Sequence, residues 1–417
     1  MTNKRKIIND PVYGFLTIED DVIFDVISHP YFQRERNIKQ LAFSYLVYPG
    51  TVHSRFSHML GALNLMGRAL EVLRTKGVAI TDEEALGAKL AILLHDIGHG
   101  PFSHTLEHTL VDVDHEVITR LFMKRMNREL GGQLDLAIRI FEDSYSKHFL
   151  HQLVSSQLDM DRLDYLGRDS FFSGVSEGIV GTERIINMLN VHGDELVVDE
   201  KGVYSIEKYL ISRRLMYWQV YLHKTVVAAD ELLHGILKRA GELLRKGGIA
   251  DSKGQAIRVG DALTYFLTHR HVEADFEQDE ALLDIFAEMD DSDIWMAVKA
   301  WMKSGDEILS HLSQQLIYRK LPSMKIADQP YDETAVQTIR TQASLLLNIP
   351  VEECHYFVGT GLLKNHAYDF NDQEIRVRMK DGRCLDISEA SDQLDRHFLS
   401  KTVRKYYIFL PKELKSF

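Results

Sequence analysis

Side chains that bind divalent metals are concentrated just after an apolar stretch in the first quarter of the chain. His95 and Asp96 are adjacent and follow the apolar run 90–94, and Gly98 then provides a natural helix stop. The other imidazoles and carboxylates that we consider in this stretch are His99, His104, Glu107 and His115. Neutral imidazole and carboxylate are good ligands for a divalent ion, and neighbouring residues at a helix end can converge on one ion.

Two further candidate ligands, His58 and Asp161, lie on two other predicted helices. Together the predicted metal ligands are two imidazoles and two carboxylates: His58, His95, Asp96 and Asp161. Such a mixed nitrogen and oxygen set can leave coordination positions open for water and substrate. It suits one divalent metal ion, which could be Mn²⁺, Fe²⁺, Mg²⁺ or Zn²⁺.

Candidate phosphate contacts stand beside this metal set. Arg55 and Arg162 offer planar, permanently charged forks that match phosphate oxygens, and Tyr165 adds a hydroxyl donor. The other histidines considered above, His99, His104 and His115, are candidate proton donors or acceptors, and Glu107 could orient one of them. These residues indicate metal-assisted hydrolysis of a phosphate ester or anhydride. No GxxxxGK[ST] motif occurs, so a glycine-rich phosphate loop is not expected.

Several helices must position these side chains. Thr81 to Glu84 form a capping-box pattern that starts the helix ending at His95 and Asp96, and Ser54 is a plausible N-cap for the helix of Arg55 and His58. A third predicted helix presents a stripe at helical spacing. Its members are Asp161, Arg162, Tyr165 and Asp169.

The rest of the sequence predicts a mainly α protein with small β-hairpins. We expect hairpins at residues 6–18, 195–206 and 374–387, the second turning at 200–202, and one long helix from 212 to 237. A helix at 334–347 and a strand at 406–410 give the last part an α+β character. The predicted division is a catalytic helical domain at residues 1–325 and a C-terminal α+β module at residues 326–417.

Composition narrows the class of protein. The 417 residues are 45% hydrophobic and 26% charged, with a formal net charge of −12, which disfavours strong binding to nucleic acid or to anionic membranes. The only cysteines are Cys354 and Cys384, so no disulfide framework is expected. No N-terminal apolar signal region and no apolar run of membrane-spanning length occur, and we therefore expect a cytoplasmic protein.

The ordered set of motifs resembles the HD-domain metal-dependent phosphohydrolases. His58, the pair His95-Asp96 and Asp161 match the H…HD…D signature. The segments 40–61, 95–104 and 159–170 are similar to the deoxynucleoside triphosphate triphosphohydrolases of the SAM-and-HD-domain type. The resemblance implies an HD-domain helical bundle. It also implies cleavage of a dNTP at its α-phosphate, giving a deoxynucleoside and inorganic triphosphate.

The resemblance also implies roles for individual residues. Gln40 and Asp169 match positions that hold the sugar and its 3′-hydroxyl, and Tyr221 matches a ring packed against the sugar. His115 is our choice of general acid at the leaving 5′-oxygen, with Glu107 as its neighbouring carboxylate. We expect a nucleotide substrate and a homo-oligomer, either a dimer or a tetramer. Ser28 replaces an aspartate of the family's activator pocket, so the match to a guanine-nucleotide activator site is incomplete.

Two other interpretations stay open. The chain could be a different HD-type phosphohydrolase, acting on a nucleoside monophosphate or a cyclic nucleotide. It could also be a non-catalytic nucleotide-sensing protein, although such members usually lose a metal ligand and here the set is complete.

Overall fold

The computed structural model describes residues 6–107, 109–365, 368, 370, 374–400 and 402–415, apart from the side chains of His104 and Phe398. The described helices, in chain order, are α1 Asp21–Ser28, α2 Pro30–Arg34, α3 Arg55–Thr75, α4 Asp82–Leu94, α5 His115–Glu129, α6 Asp135–Phe141, α7 His148–Gln152, α8 Met160–Ser173, α9 Thr182–Met188, α10 Val203–Met216, α11 Lys224–Arg245, α12 Asp261–Thr268, α13 Glu273–Gln278, α14 Ala281–Ala287, α15 Asp291–Trp301, α16 Glu307–Ile317, α17 Glu333–Leu347, α18 Ile387–Ala390 and α19 Arg396–Ser400. The predicted mainly α class is confirmed.

Short strands form small sheets around this helical body. They are β1 Lys6–Asp10, β2 Gly14–Ile18, β3 Leu189–His192, β4 Glu195–Asp199, β5 Ser323–Ala327, β6 Gly359–Asn365, β7 Arg376–Arg378, β8 Cys384–Asp386 and β9 Val403–Leu410. β1 and β2 make a hairpin, the second sheet has the order β3-β4-β7-β8, and the third has the order β5-β9-β6. The hairpins predicted at residues 6–18 and 374–387 are therefore confirmed.

The hairpin predicted at residues 195–206 is wrong. β4 pairs with the preceding strand β3, and residues 200–202 form a single 3₁₀ turn that leads into α10. The apolar side chains after that turn explain the difference. Val203, Ile206 and Leu210 are buried at helical spacing, so burial of one helix face determines the structure there.

The single helix predicted from residue 212 to 237 is also wrong. α10 ends at Met216, a π-helical segment covers Tyr217–Tyr221, and α11 begins at Lys224. His223 has extended backbone angles and its Nδ1 accepts the N–H of Thr225 at 3.1 Å. A histidine N-cap therefore starts a new helix where periodicity alone predicted continuity.

The centre of the fold is the contact of α3 with α4 on one side and α8 on the other. The capping box predicted for α4 is present, with the side chain of Thr81 and that of Glu84 each bonded to the other's backbone N–H. Gly61 allows α3 and α8 to approach closely, because a Cβ there would lie 2.0 Å from Asp164 Oδ1 and 2.2 Å from Arg168 Nη2.

A buried ion-pair network joins the N-terminal hairpin to this centre. Arg168 donates from Nη1 to Asp10 Oδ2 at 2.8 Å, and from Nε to Asp164 Oδ2 at 2.8 Å. All three residues are buried. Because Arg168 compensates both carboxylates inside the protein, its loss would leave Asp10 and Asp164 without a cationic arginine away from water.

The predicted catalytic domain and the predicted C-terminal module share a sheet. β4 pairs in parallel with β7, so that Val198 lies opposite Val377. The predicted boundary after residue 325 also falls inside β5. The division at that residue stays a prediction. No helix in the described part of the chain is both long and apolar enough to span a lipid bilayer.

The buried network predicts the effect of removing Arg168. Replacing Arg168 with Met removes the arginine that pairs with Asp10 and Asp164, and we expect the free energy of unfolding to fall by about 3–5 kcal/mol. Chemical denaturation followed by circular dichroism measures this change. The control is Arg68→Met, because the pair of Arg68 with Glu183 is solvent-exposed, and there we expect a loss of about 0–1 kcal/mol. Equal losses in the two variants would contradict the prediction.

Candidate functional site

Two buried histidines converge on one carboxylate. His58 lies in the first turn of α3, His95 caps the C-terminus of α4, and Asp161 lies in the first turn of α8. The Nε2 atoms of His58 and His95 lie 3.1 and 3.3 Å from Asp161 Oδ1. The structure thus brings together three of the four predicted metal ligands in one small cluster.

Neighbouring acceptors determine the orientation of both imidazole rings. His58 Nδ1 lies 2.7 Å from Asp164 Oδ2, and His95 Nδ1 lies 2.6 Å from the carbonyl oxygen of Ile92. Since both acceptors require a hydrogen on Nδ1, the Nε2 atom of each neutral ring presents its lone pair to the cluster. Both Nε2 atoms are buried and make no hydrogen bond within the described residues. Such ring nitrogens, oriented from behind, fit a bound metal ion.

The electrostatics of the cluster favour positive charge. Burial disfavours a protonated His58, but the neighbouring carboxylates of Asp161 and Asp164 outweigh it and raise the pKa of His58 to about 10. Burial also opposes ionisation of Asp161, yet the neighbouring imidazoles of His95 and His58 hold its pKa well below the usual range. The site therefore attracts a cation, whether a proton or a metal ion.

Asp96, the fourth predicted ligand, lies between this cluster and a second one. Its carboxylate oxygens are 3.6 Å from His58 Nε2 and 3.4 Å from His95 Nε2. Asp96 also forms a buried ion pair with Arg55, and its Oδ1 lies 3.5 Å from His99 Nε2. Arg55 is thus beside the cluster, where its guanidinium contacts a predicted ligand.

The second cluster contains the predicted proton-transfer residues. The rings of His99 and His115 stack with centroids 3.9 Å apart, and Glu107 Oε1 lies 2.7 Å from His115 Nδ1. Burial and the charge of Arg55 hold the pKa of His99 well below its usual value. Gly98 permits the close approach of α5, because a Cβ there would lie 2.2 Å from the His115 carbonyl oxygen. The side chain of His104 lies outside the described residues, so its predicted role is not tested.

The residues predicted to hold the sugar meet around His53. Asp169 accepts the hydroxyl of Tyr221 at 2.8 Å and lies 2.8 Å from His53 Nε2. The backbone N–H of Gln40 donates to the carbonyl of His53 at 3.0 Å. Gln40 Oε1 is a buried acceptor without a hydrogen-bond partner in the described structure. The structure thus brings these three residues to one place, through a histidine that sequence reasoning did not select.

The predicted phosphate contacts Arg162 and Tyr165 lie in the first half of α8. Arg162 Nε donates to the Ser156 carbonyl at 2.5 Å and to Asp159 Oδ2 at 3.1 Å. Burial raises the pKa of Tyr165 well above its usual value, and the nearby charges of Arg213 and Arg162 oppose that shift. Arg213 Nε and Nη1 are shielded from solvent and have no hydrogen-bond partner among the described residues. Arg213 is therefore a candidate anion contact that the sequence analysis did not select.

Sequence reasoning missed Asp164, which orients His58. The available signal was its spacing, since Asp164 follows Asp161 by three residues and so lies on the same side of the helix. For Arg213 the signal was weaker, because an arginine near aromatic residues on a helix is common in packed cores.

Comparisons with known proteins agree with this geometry. The chain matches the HD domain over residues 55–168 and the HD associated region over residues 180–262. It is 36% identical to the uncharacterized Bacillus subtilis protein YwfO, over 99% of this chain and 93% of that protein. It is 23% identical to the human deoxynucleoside triphosphate triphosphohydrolase SAMHD1, over 96% of this chain and 70% of that protein. The crystal structure of a phosphohydrolase from Bacteroides thetaiotaomicron superposes with a TM-score of 0.92 at 48% identity, covering 98% of this chain and 100% of the other.

The contact behind His58 predicts how metal affinity depends on Asp164. Asp164→Asn weakens the acceptor at His58 Nδ1, and we expect the dissociation constant for Mn²⁺ to rise by about 10- to 100-fold. Titration calorimetry on metal-free protein measures it. Asp21→Asn, an exposed carboxylate change in α1, is the control and should leave the affinity unchanged. Unaltered affinity in Asp164→Asn would mean that this carboxylate does not orient a metal ligand.

Proposed function

This chain belongs to the family of HD-domain phosphohydrolases, and we propose that its substrate is a deoxynucleoside triphosphate, cleaved to a deoxynucleoside and inorganic triphosphate. The observation that carries the proposal is the order of groups along α8. Asp161 of the metal cluster, Tyr165 beside two arginines and Asp169 beside Tyr221 are spaced four residues apart. Eight residues of helix span about 12 Å, which suits a ligand with a sugar at one end and phosphates at the other.

The metal cluster supplies the hydrolytic chemistry in this proposal. A divalent metal held by His58, His95, Asp96 and Asp161 would polarise a phosphoryl oxygen and lower the pKa of an attacking water. The four side chains come from three helices that the buried core holds rigidly, so the ligand positions are present before substrate binds.

The arginines are proposed to bind the phosphates. Arg162 and Arg213 lie close enough to Tyr165 to influence its ionisation, and Arg55 forms an ion pair with Asp96. A triphosphate carries several negative charges, and guanidinium groups can pair with its oxygens in bidentate fashion. The unpartnered N–H groups of Arg213 supply donors that a phosphate would satisfy.

The sugar is proposed to bind at Gln40, Asp169 and Tyr221. Asp169 already accepts hydrogen bonds from Tyr221 and His53, and a carboxylate can accept a further one from a 3′-hydroxyl. The buried Gln40 Oε1 offers a second acceptor. The ring of Tyr221 restricts the space on this side, which favours a 2′-deoxy sugar.

His115 is proposed to protonate the leaving 5′-oxygen. Glu107 accepts from its Nδ1, so a proton on Nε2 is the one available for transfer, as in other carboxylate–histidine pairs. His99 stacks against this ring and is held neutral, so it does not repel a protonated His115. His104 stays a candidate for the same role.

Two similar proteins support the choice of substrate. The human protein reported above carries the name deoxynucleoside triphosphate triphosphohydrolase, and so does a homolog from Dictyostelium discoideum that is 27% identical over 62% of this chain and 54% of that protein. Assembly as a dimer or tetramer and location in the cytoplasm stay predictions, as does the absence of strong binding to nucleic acid.

The inorganic product tests the proposed reaction. Purified protein loaded with Mn²⁺ is incubated with each dNTP, and the inorganic products are separated by anion-exchange chromatography. We expect intact triphosphate in amounts equal to the deoxynucleoside, and none from an Asp161→Ala control, which loses a metal ligand. Orthophosphate or pyrophosphate as the only inorganic product would instead support a different HD-type phosphohydrolase.

The sugar site predicts discrimination against ribonucleotides. Contact between the Tyr221 ring and a 2′-hydroxyl should lower kcat/KM for an NTP by roughly 5- to 150-fold relative to its dNTP, an effect comparable with overpacking. Tyr221→Ala removes the ring and should bring the two values together. Tyr221→Phe keeps the ring, loses only the bond to Asp169, and should retain the preference. A wild-type enzyme with equal kcat/KM for ATP and dATP would disprove the assignment.

A further inference from the structure

A strained turn precedes Glu107 of the second cluster in the chain. Phe102 and Ser103 have φ values of 57° and 53°, in the left-handed region that non-glycine residues rarely adopt. Two such residues in succession persist only where surrounding contacts hold them. The turn is followed directly by His104 and, further on, by Glu107, so its backbone position affects the predicted proton-transfer residues.

One buried carboxylate from a distant part of the chain holds this turn. Asp291 is the first residue of α15 and is 2% exposed. Its Oδ1 accepts the backbone N–H of Phe102 at 2.8 Å. Its Oδ2 accepts the backbone N–H of Lys39 at 3.1 Å and lies 3.4 Å from Lys39 Nζ. The two oxygens of one side chain therefore bridge two separate loops.

Each of these loops contains or contacts a predicted substrate residue. Lys39 directly precedes Gln40, the candidate sugar contact. Ser103 Oγ accepts from Arg55 Nε at 2.8 Å and donates to the carbonyl of Lys39 at 3.2 Å. Asp291 is thus linked to Lys39 directly and to Ser103 through the adjacent Phe102. Ser103 in turn accepts a hydrogen bond from the guanidinium of Arg55, the candidate phosphate contact.

Helix capping does not explain this carboxylate. The N-cap of α15 is Asp290, whose side chain accepts the N–H of Ser292 at 2.7 Å, and Asp293 completes a capping box with it. The Asp291 side chain makes no part of that cap and is directed to the two loops instead. Its neighbour therefore serves as a matched control.

We propose that Asp291 is a positioning residue for substrate binding, acting through the turn at Phe102 and Ser103 on Arg55 and through Lys39 on Gln40. The inference rests on the proposed function. It adds a residue that lies outside the matched HD domain, residues 55–168, and outside the HD associated region, residues 180–262. In this assignment Asp291 contacts neither substrate nor metal. Its contribution is the fixed distance between the loop of Gln40 and the turn that supports Arg55.

The test compares Asp291→Ala and Asp291→Asn with Asp290→Asn. The first measurement is hydrogen–deuterium exchange in peptides that contain Phe102 and Lys39. We expect both amides to exchange at least about tenfold faster in Asp291→Ala, because each loses its buried acceptor, and Asp291→Asn to be intermediate. Asp290→Asn should leave these two peptides unchanged, even where it loosens the start of α15.

The second measurement is steady-state hydrolysis of dATP, together with metal content. We expect KM to rise by about tenfold or more in Asp291→Ala, with Mn²⁺ content equal to wild type, since the metal ligands are untouched. Should the alanine variant fail to fold, Asp291→Asn, which retains one acceptor oxygen, is compared with the wild type and with Asp290→Asn instead. Asp290→Asn should keep the wild-type KM.

Two results would overturn the inference. One is unchanged exchange of Phe102 and Lys39 in the Asp291 variants. The other is an equal rise in KM for Asp290→Asn, which would mean that the effect comes from the stability of α15. If the wild-type protein hydrolyses no dNTP, the proposed substrate is wrong, and the exchange measurement alone then decides whether Asp291 holds the two loops.

Discussion

The hydrogen bond between His58 Nδ1 and Asp164 is the contact on which most of the site depends. It selects the ring nitrogen that carries hydrogen and therefore the one that faces Asp161. Asp164 can be buried next to a histidine because Arg168 compensates its charge, and Arg168 is in turn bonded to Asp10 of the N-terminal hairpin. The absence of a side chain at Gly61 leaves room for this network. A chain of buried polar contacts thus connects the edge of the protein to the cluster.

A second constraint is the charge of Arg55. Its guanidinium neutralises Asp96 and donates to Ser103 Oγ, and burial together with its charge holds the neighbouring imidazole of His99 neutral. Arg55 thus lies between the cluster of His58, His95 and Asp161, which attracts cations, and the second cluster, which contains the predicted proton-transfer residues. Because Asp96 lies within 3.6 Å of His58 and His95 and within 3.5 Å of His99, a change of charge in one cluster affects the electrostatics of the other.

The local pattern was sufficient to predict much of the fold and the centre of the site. Adjacent His95 and Asp96 at a helix end, the capping box at Thr81 and the glycine-turned hairpin at 374–387 each have a local physical cause. The candidate metal ligands on separate helices were predicted from the motif resemblance and their chemistry. The bridging role of Asp291 could not be predicted, because it depends on a contact between residues 189 positions apart, and a lone aspartate near a helix start has the same appearance as an ordinary cap.

The parallel pairing of β4 with β7 has a consequence for how the chain folds during its synthesis on the ribosome. β4 is complete after residue 199, but its second neighbour is not synthesised until residue 378. Until then the strand presents an open row of N–H and C=O groups, the kind of edge that joins other chains. Contacts of such long sequence separation also form slowly. A nascent or truncated chain lacking β7 would therefore be prone to association with other chains through β4. In the complete fold β7 pairs with that edge of β4 and so prevents this association.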